Sequence, residues 1–187
     1  QEDEAIQLLQ SFHQKKTGLV RIGAVSPPIA MSLTYELMRR HPEIEVDTSF
    51  TTEAETLERL YNFDIDVAIL ALTDFDRRLH TELYRSCPIV AVVRHDHPWT
   101  TQKSVHLHEI AGQALVLREQ GSRTRQLVES ACLDRGIKLN CVMQLNSREA
   151  IVHSIAQGIG IGFVSEVEYA ELPGTRAIRF ANDPLHI

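Results

Sequence analysis

The sequence has few cysteines, no long apolar run and no excess of positive charge, and each shortage excludes a class of protein. Three scattered cysteines in 187 residues, Cys87, Cys132 and Cys141, argue against a disulfide framework and favour reduced thiols in the cytoplasm. No apolar stretch approaches the roughly 20 residues of a membrane span. We see no signal peptide, because the charged N-terminus lacks an apolar core. The formal net charge of -6 predicts no general attraction to nucleic acid or an acidic membrane.

What the sequence does contain is an α/β pattern that occurs twice. Residues 19–70 alternate strand and helix signals in the order β-α-β-α-β, and residues 114–165 repeat that order. This alternation predicts parallel sheets covered by helices. Between the two series lie extended runs at 79–84 and 88–93, and we place a domain boundary near Arg94.

Hydroxyl and guanidinium groups at the strand-to-helix junctions form the candidate site. Ser26 precedes the first helix, whose first turn carries two prolines, and Ser122-Arg123 and Ser147-Arg148 precede two later helices. A hydroxyl, a cation and unpaired helix amides together suit a carboxylate or a phosphate-like oxygen. The alternative is that the serines only cap helices and the arginines are solvated.

Three further motifs predict structure more strongly than chemistry. Gly158-x-Gly160-x-Gly162 follows a helix and opens a strand, the reverse of a dinucleotide fingerprint, so close packing explains it better. The pairs His95-x-His97 and His106-x-His108 lack further ligands at suitable spacing, and His97-Pro98 suits a turn. We therefore expect no metal, no cofactor and no enzyme activity, with catalysis by Cys87 or a histidine as the weakest hypothesis.

Six motifs stand in the order found in the effector-binding domain of LysR-type transcriptional regulators, which this sequence resembles over about residues 18–180. They are Leu19-Val20-Arg21-Ile22-Gly23, His41-Pro42-x-Ile44-x-Val46, Asp64-Ile65-Asp66-Val67-Ala68-Ile69, His95-Asp96-His97-Pro98, Asn146-Ser147-x-Glu149-Ala150 and Gly158-Ile159-Gly160-Ile161-Gly162-Phe163-Val164.

The resemblance implies an α/β fold of the type 2 periplasmic-binding-protein kind, with two α/β subdomains and a central effector cleft. Residues 1–17 would be the end of a linker helix. Residues 18–93 with 175–187 would form regulatory subdomain I, with its C-terminal return incomplete, and residues 94–174 would form regulatory subdomain II.

The function that the resemblance implies is ligand sensing by a cytoplasmic regulator. A small anionic effector would bind in the cleft, and a homodimer or tetramer would transmit the signal to DNA through a winged helix-turn-helix that this sequence does not include. A transporter's solute-binding protein of the same fold is the alternative. The effector-binding residues carried over from the family are Ser26, Thr73, Ser122, Arg123, Ser147, Arg148 and Phe163.

Overall fold

The computed structural model describes residues 18–71, 76–182 and 185–187. Within these residues the chain divides into two compact units, one ending at Arg85 and the other beginning at Ser86. The proposed linker-helix residues 1–17 and the candidate site residue Thr73 lie outside the described residues. No helix within the described ranges is both long and apolar enough to cross a membrane.

The first unit is a parallel sheet with two helices, as the sequence pattern predicted. Its elements are β1 Gly18–Ala24, α1 Pro27–Arg40, β2 Ile44–Phe50, α2 Glu53–Tyr61 and β3 Val67–Ile69. β1 lies between β2 and β3 and is parallel to both. Its apolar side chains, led by Ile22, pack with Leu37 of α1. The helix ends directly before His41-Pro42, because proline disfavours helical backbone in the residue before it.

The second unit is a mixed sheet with two α-helices. Its strands and α-helices are β4 Ile89–Arg94, β5 Ser104–Val105, β6 Ala114–Arg118, α3 Arg123–Leu133, β7 Asn140–Leu145, α4 Arg148–Ala156, β8 Ile161–Ser165 and β9 Thr175–Phe180. Three 3-10 helices accompany them in the described residues, at Pro98–Thr101, Leu107–Ile110 and Glu166–Glu168. The strand order is β5-β9-β4-β8-β6-β7. β6 is parallel to β7 and β8, which confirms the predicted second β-α-β-α-β series.

The central strand β4 is apolar at five successive positions because both faces of its sheet are covered. Ile89, Ala91 and Val93 belong to the core on the α3 face, and Val90 and Val92 belong to the core on the α4 face. Successive side chains of a strand point to opposite faces, so a strand buried on both sides loses the usual polar alternation.

The division of the chain differs from the predicted boundary near Arg94. β4 pairs with β8 on one side and with β9 on the other, so residues 89–94 belong to the second unit. β9, which was expected to return to the first subdomain, lies in the second unit for the same reason. Residues 79–84, which were expected to be extended, form no strand. That the two units act as subdomains I and II stays a prediction.

The glycines before and within β8 permit close packing, as expected. A Cβ on Gly162 would lie 2.5 Å from Cγ2 of Ile151 and 3.3 Å from Cγ1 of Ile155, both on α4. A Cβ on Gly160 would collide with the carbonyl oxygen of Ala114 at the start of β6. The motif therefore lets a helix and a neighbouring strand approach the β8 backbone.

Gly162→Ala is expected to lower the free energy of unfolding by about 1–3 kcal/mol, because the added methyl group overpacks the contact with α4. Urea unfolding followed by circular dichroism measures the change. Gly18→Ala is the control, since a Cβ there meets no heavy atom within 4 Å. Equal stability of the two variants would contradict this account of the motif.

Candidate functional site

Three parallel strands of the second unit end at the same edge of the sheet. Parallel pairing aligns β6 with β7 and β8, so the carboxyl ends of these strands lie side by side. α3 begins after β6, α4 begins after β7, and the 3-10 helix Glu166–Glu168 follows β8. We call this the strand-end edge. The first amides of a helix have no partner within it, so two α-helices present donors here.

At the start of α4, Ser147 is the capping residue. Its hydroxyl oxygen accepts a hydrogen bond from the Ala150 amide at 3.1 Å and lies 2.8 Å from Oε2 of Glu149, to which it donates. Ser147 therefore satisfies one orphan amide, and its role as a cap is confirmed.

At the start of α3, Ser122 occupies the capping position without making a side-chain capping bond. Arg123 lies beside it, with Nη1 3.4 Å from Oε1 of Gln126. The Ser122 hydroxyl therefore does not serve the helix as the Ser147 hydroxyl does. It could hydrogen-bond to a ligand without breaking a capping bond.

A buried arginine that the sequence did not single out fixes the start of α3. Nη1 of Arg125 donates to the carbonyl oxygen of Arg118 at 2.8 Å and to Oε1 of Gln144 at 2.7 Å, while its Nε donates to Glu129 at 2.7 Å. These bonds join α3 to the ends of β6 and β7. Nothing in a linear pattern distinguishes Arg125 from a solvated helix arginine, because its burial and its bond to Gln144, 19 residues away, arise only in the folded structure.

Two further arginines at the strand-end edge pair with carboxylates. Arg118, the last residue of β6, donates from Nε and Nη2 to the two carboxylate oxygens of Glu119, both at 2.7 Å. Arg148, the first residue of α4, lies with Nε 2.9 Å from Oε2 of Glu168, whose side chain is 4% exposed. The edge thus holds its own anions as well as its cations.

The pKa values of two glutamates at this edge are lowered by their neighbours. The hydrogen bond from Ser147 is the main cause that lowers the pKa of Glu149, with its own backbone amide and attraction to Arg148 and Arg118 adding to it. Burial would raise the pKa of Glu119, but hydrogen bonding and attraction to Arg118, with a smaller attraction to Arg148, lower it overall. Both carboxylates are therefore ionised at neutral pH.

In the first unit, Ser26 stands at the start of α1 without a capping bond. Pro28 lacks one of the two amides that a capping hydroxyl normally reaches, so only the Ile29 amide remains available for such a bond. Within the described residues, Oγ of Ser26 is shielded from solvent and has no hydrogen-bond partner. The sequence correctly located this junction, but the alternative that Ser26 serves as a helix cap has no capping bond to support it.

The predicted site residues fall into separate groups. Four of them, Ser122, Arg123, Ser147 and Arg148, lie at the strand-end edge of the second unit, and Ser26 lies at the corresponding junction of the first unit. Phe163 is 3% exposed in the core and stacks on Phe180 with ring centroids 6.2 Å apart. Its ring belongs to the core on the α3 face and does not join the strand-end edge.

The histidine pairs have structural partners. Nδ1 of His97 accepts a hydrogen bond from the Trp99 amide at 3.2 Å, which confirms the turn role of His97-Pro98. The rings of His106 and His108 stack with centroids 5.4 Å apart. Among the residues that the structure describes, no group of three or more histidine, cysteine, aspartate or glutamate side chains could hold a metal ion.

Comparison with known proteins identifies the fold. The regulatory domain of CcmR from Synechocystis PCC6803, in complex with 2-PG, matches with a TM-score of 0.79 at 23% identity, over 91% of this chain and 84% of that one. The BenM effector binding domain with its effector benzoate matches with a TM-score of 0.77 at 17% identity, over 90% and 82%. The fold is therefore that of LysR regulatory domains, which is similar to type 2 periplasmic binding proteins.

The family model of the LysR substrate binding domain matches residues 13–186, so the chain belongs to that family. The transcriptional activator CmpR of Synechocystis is 25% identical over 165 residues, covering 87% of this chain and 54% of CmpR. The chain thus spans about half the length of the curated relatives it matches. It is the effector-binding regulatory domain of a LysR-type regulator, a non-enzymatic family, and this membership favours a regulator over a transporter's solute-binding protein.

Ser147→Ala is expected to lower the free energy of unfolding by about 1 kcal/mol, because it leaves the Ala150 amide without its capping partner. Ser122→Ala should change it by less than about 0.5 kcal/mol, since no capping bond is lost. Denaturant unfolding of both variants measures the difference. If Ser122→Ala lowers the free energy of unfolding as much as Ser147→Ala does, both serines act mainly as caps.

Proposed function

We propose that this domain senses a small anionic effector. The observation that carries the proposal is the strand-end edge, where the starts of α3 and α4 bring helix amides, two serine hydroxyls and the guanidinium groups of Arg123 and Arg148 to one edge of a sheet. Helix N-termini favour negative charge, and arginine pairs with carboxylate or phosphate through two parallel hydrogen bonds. Benzoate, which BenM binds as its effector, is such a carboxylate.

Ser26 supports the same proposal from the first unit. Its Oγ has neither solvent nor a partner among the described residues, and a buried hydroxyl in that state gains a hydrogen bond when a polar group or a water reaches it. We therefore include Ser26 with Ser122, Arg123, Ser147 and Arg148 as effector-binding residues. Thr73 stays a prediction, and so does the cleft that the resemblance implies.

The bound effector would act on DNA through the part of the regulator outside this chain. The relatives are about twice as long and include a protein named as an HTH-type activator, so we propose that the signal passes to a winged helix-turn-helix in the cytoplasm. An effector can shift a conformational equilibrium only by its difference in affinity for the two states. Each difference of about 1.4 kcal/mol changes the ratio of the states tenfold.

We also propose that the regulator works as a homodimer or tetramer that associates through α1. The outward side of α1 exposes Met31, Tyr35 and Met38, and Tyr35 is 66% exposed. Among the residues that the structure describes, β2 is an edge strand of its sheet, so the backbone groups along one side have no strand partner there. Large exposed side chains beside an open strand edge favour pairing with a second copy, since the same surface is present on both.

The effector proposal predicts that small anions stabilise the domain. Benzoate and inorganic phosphate are the first probes, with benzamide as the uncharged match to benzoate. A ligand present at 100 times its Kd adds about 2.7 kcal/mol to the free energy of unfolding, which a thermal-shift assay detects as a rise in Tm. The double variant Ser122→Ala with Arg123→Ala should lose most of that rise.

Arg176→Ala is the matched control, because Arg176 lies near the start of β9, at the edge of the sheet opposite the strand-end edge. The anion should raise the Tm of Arg176→Ala by as much as it raises the Tm of the unmodified protein. The proposal fails if benzamide stabilises as well as benzoate, if the double variant keeps the full response, or if no anion raises Tm.

The association proposal predicts that Tyr35→Glu weakens the oligomer at least tenfold, because it places a carboxylate in an apolar contact. Sedimentation equilibrium measures the dissociation constant. Leu133→Glu on α3, where the side chain is 79% exposed, is the control and should leave association unchanged. If Leu133→Glu dissociates the oligomer and Tyr35→Glu does not, the interface lies on the second unit instead.

A further inference from the structure

Glu168 is a charged side chain in an unusually enclosed position. It ends the 3-10 helix that follows β8, and only 4% of its side chain is exposed. An ionised carboxylate at such a site needs a partner, because removal from water costs several kcal/mol that only pairing offsets. Its partner is Arg148, with Oε2 of Glu168 2.9 Å from Nε.

The ion pair between Arg148 and Glu168 also bears on effector binding, because it lies at the strand-end edge. Arg148 is the first residue of α4 and is a proposed effector-binding residue, while Glu168 comes from a different element at the same strand-end edge. The Glu168 carboxylate therefore already holds the guanidinium that an effector's anionic group would use. The side chain of Arg148 retains 22% exposure, so a ligand can approach it from solvent.

We infer that Glu168 is an internal counter-ion that competes with the effector for Arg148 and so determines which anions the domain accepts. The inference rests on the proposed function of this edge. When an effector binds, its anionic group replaces the carboxylate of Glu168 on Arg148. An anion that pairs weakly does not displace Glu168, so only an anion with strong guanidinium pairing, such as phosphate or a well-positioned carboxylate, changes the state of the domain.

The same 3-10 helix supplies a matched control. Glu166 pairs with Arg179 on β9 through two hydrogen bonds, Nε to Oε1 at 2.6 Å and Nη2 to Oε2 at 2.8 Å. Glu166→Gln removes one negative charge two residues from Glu168 without breaking the ion pair between Glu168 and Arg148. Any general gain in anion affinity from a less negative protein will therefore occur in both variants.

Isothermal titration with inorganic phosphate at constant ionic strength tests the inference. Glu168→Gln should bind phosphate about tenfold more tightly than the unmodified protein, since a competing charge-assisted hydrogen bond is removed. Glu166→Gln should bind as the unmodified protein does. Adding Arg148→Gln to Glu168→Gln should abolish the gain. Phosphate should also raise the Tm of Glu168→Gln more than that of the unmodified protein, which a merely structural role would not produce.

If Glu168→Gln does not fold, Glu168→Asp keeps the charge but shortens its reach, and a smaller gain in phosphate affinity is expected. The inference is overturned if the folded Glu168 variant binds phosphate no more tightly than the unmodified protein, or if Glu166→Gln gains as much. In those cases binding by the unmodified protein leaves the proposed function standing. If neither the unmodified protein nor the Glu168 variants bind phosphate, benzoate or any other anion, the inference and the proposed function are both overturned.

Discussion

The parallel pairing of β6 with β7 and β8 is the constraint on which the rest of the second unit depends. It brings three strand ends to one edge, and the chain after each of them must turn back across a face of the sheet. Two α-helices therefore begin at this edge, where their first amides lack partners within the helix and, among the described residues, only the Ala150 amide has a side-chain capping bond, to Ser147. The covered faces on both sides, built on apolar residues such as Ile151 and Val128, hold those helix starts in place.

The ion pairs at the strand-end edge follow from the burial of its arginines. Arg118, Arg125 and Arg148 are largely removed from water, so each needs an acceptor within the protein. Glutamates meet that need for all three, and Arg125 also uses a carbonyl and an amide oxygen. The edge is consequently balanced in charge before any ligand arrives. If the domain binds an anion as proposed, its selectivity would depend on exchange of partners rather than on a simple excess of positive charge.

Sequence patterns predicted the elements well because local signals decide them. The Thr52 hydroxyl caps α2 by accepting a hydrogen bond from the Glu55 amide. α1 ends before His41-Pro42, because proline disfavours helical backbone in the residue before it. The candidate site was predicted less completely. Ser122, Arg123, Ser147 and Arg148 could be found because each sits at a visible strand-to-helix junction. Arg125, Glu119 and Glu168 could not be found, since the burial that makes their ion pairs important arises only when the sheet and helices pack together.

The domain boundary was also beyond what local sequence patterns can predict. A break in the pattern near Arg94 suggested a division there, but β4 pairs with β8 and β9, and strand pairing over long separations leaves no local signal.

The sequence by itself determined the alternation of strands and helices, the helix starts and the family, because those depend on periodicity and on capping residues. Tertiary structure alone decided which unit holds β4 and β9, that the Phe163 ring packs on Phe180, and that Arg148 is held by Glu168. The physical reason is that burial and ion pairing are properties of neighbours in space, and those neighbours are brought together only when the sheet forms.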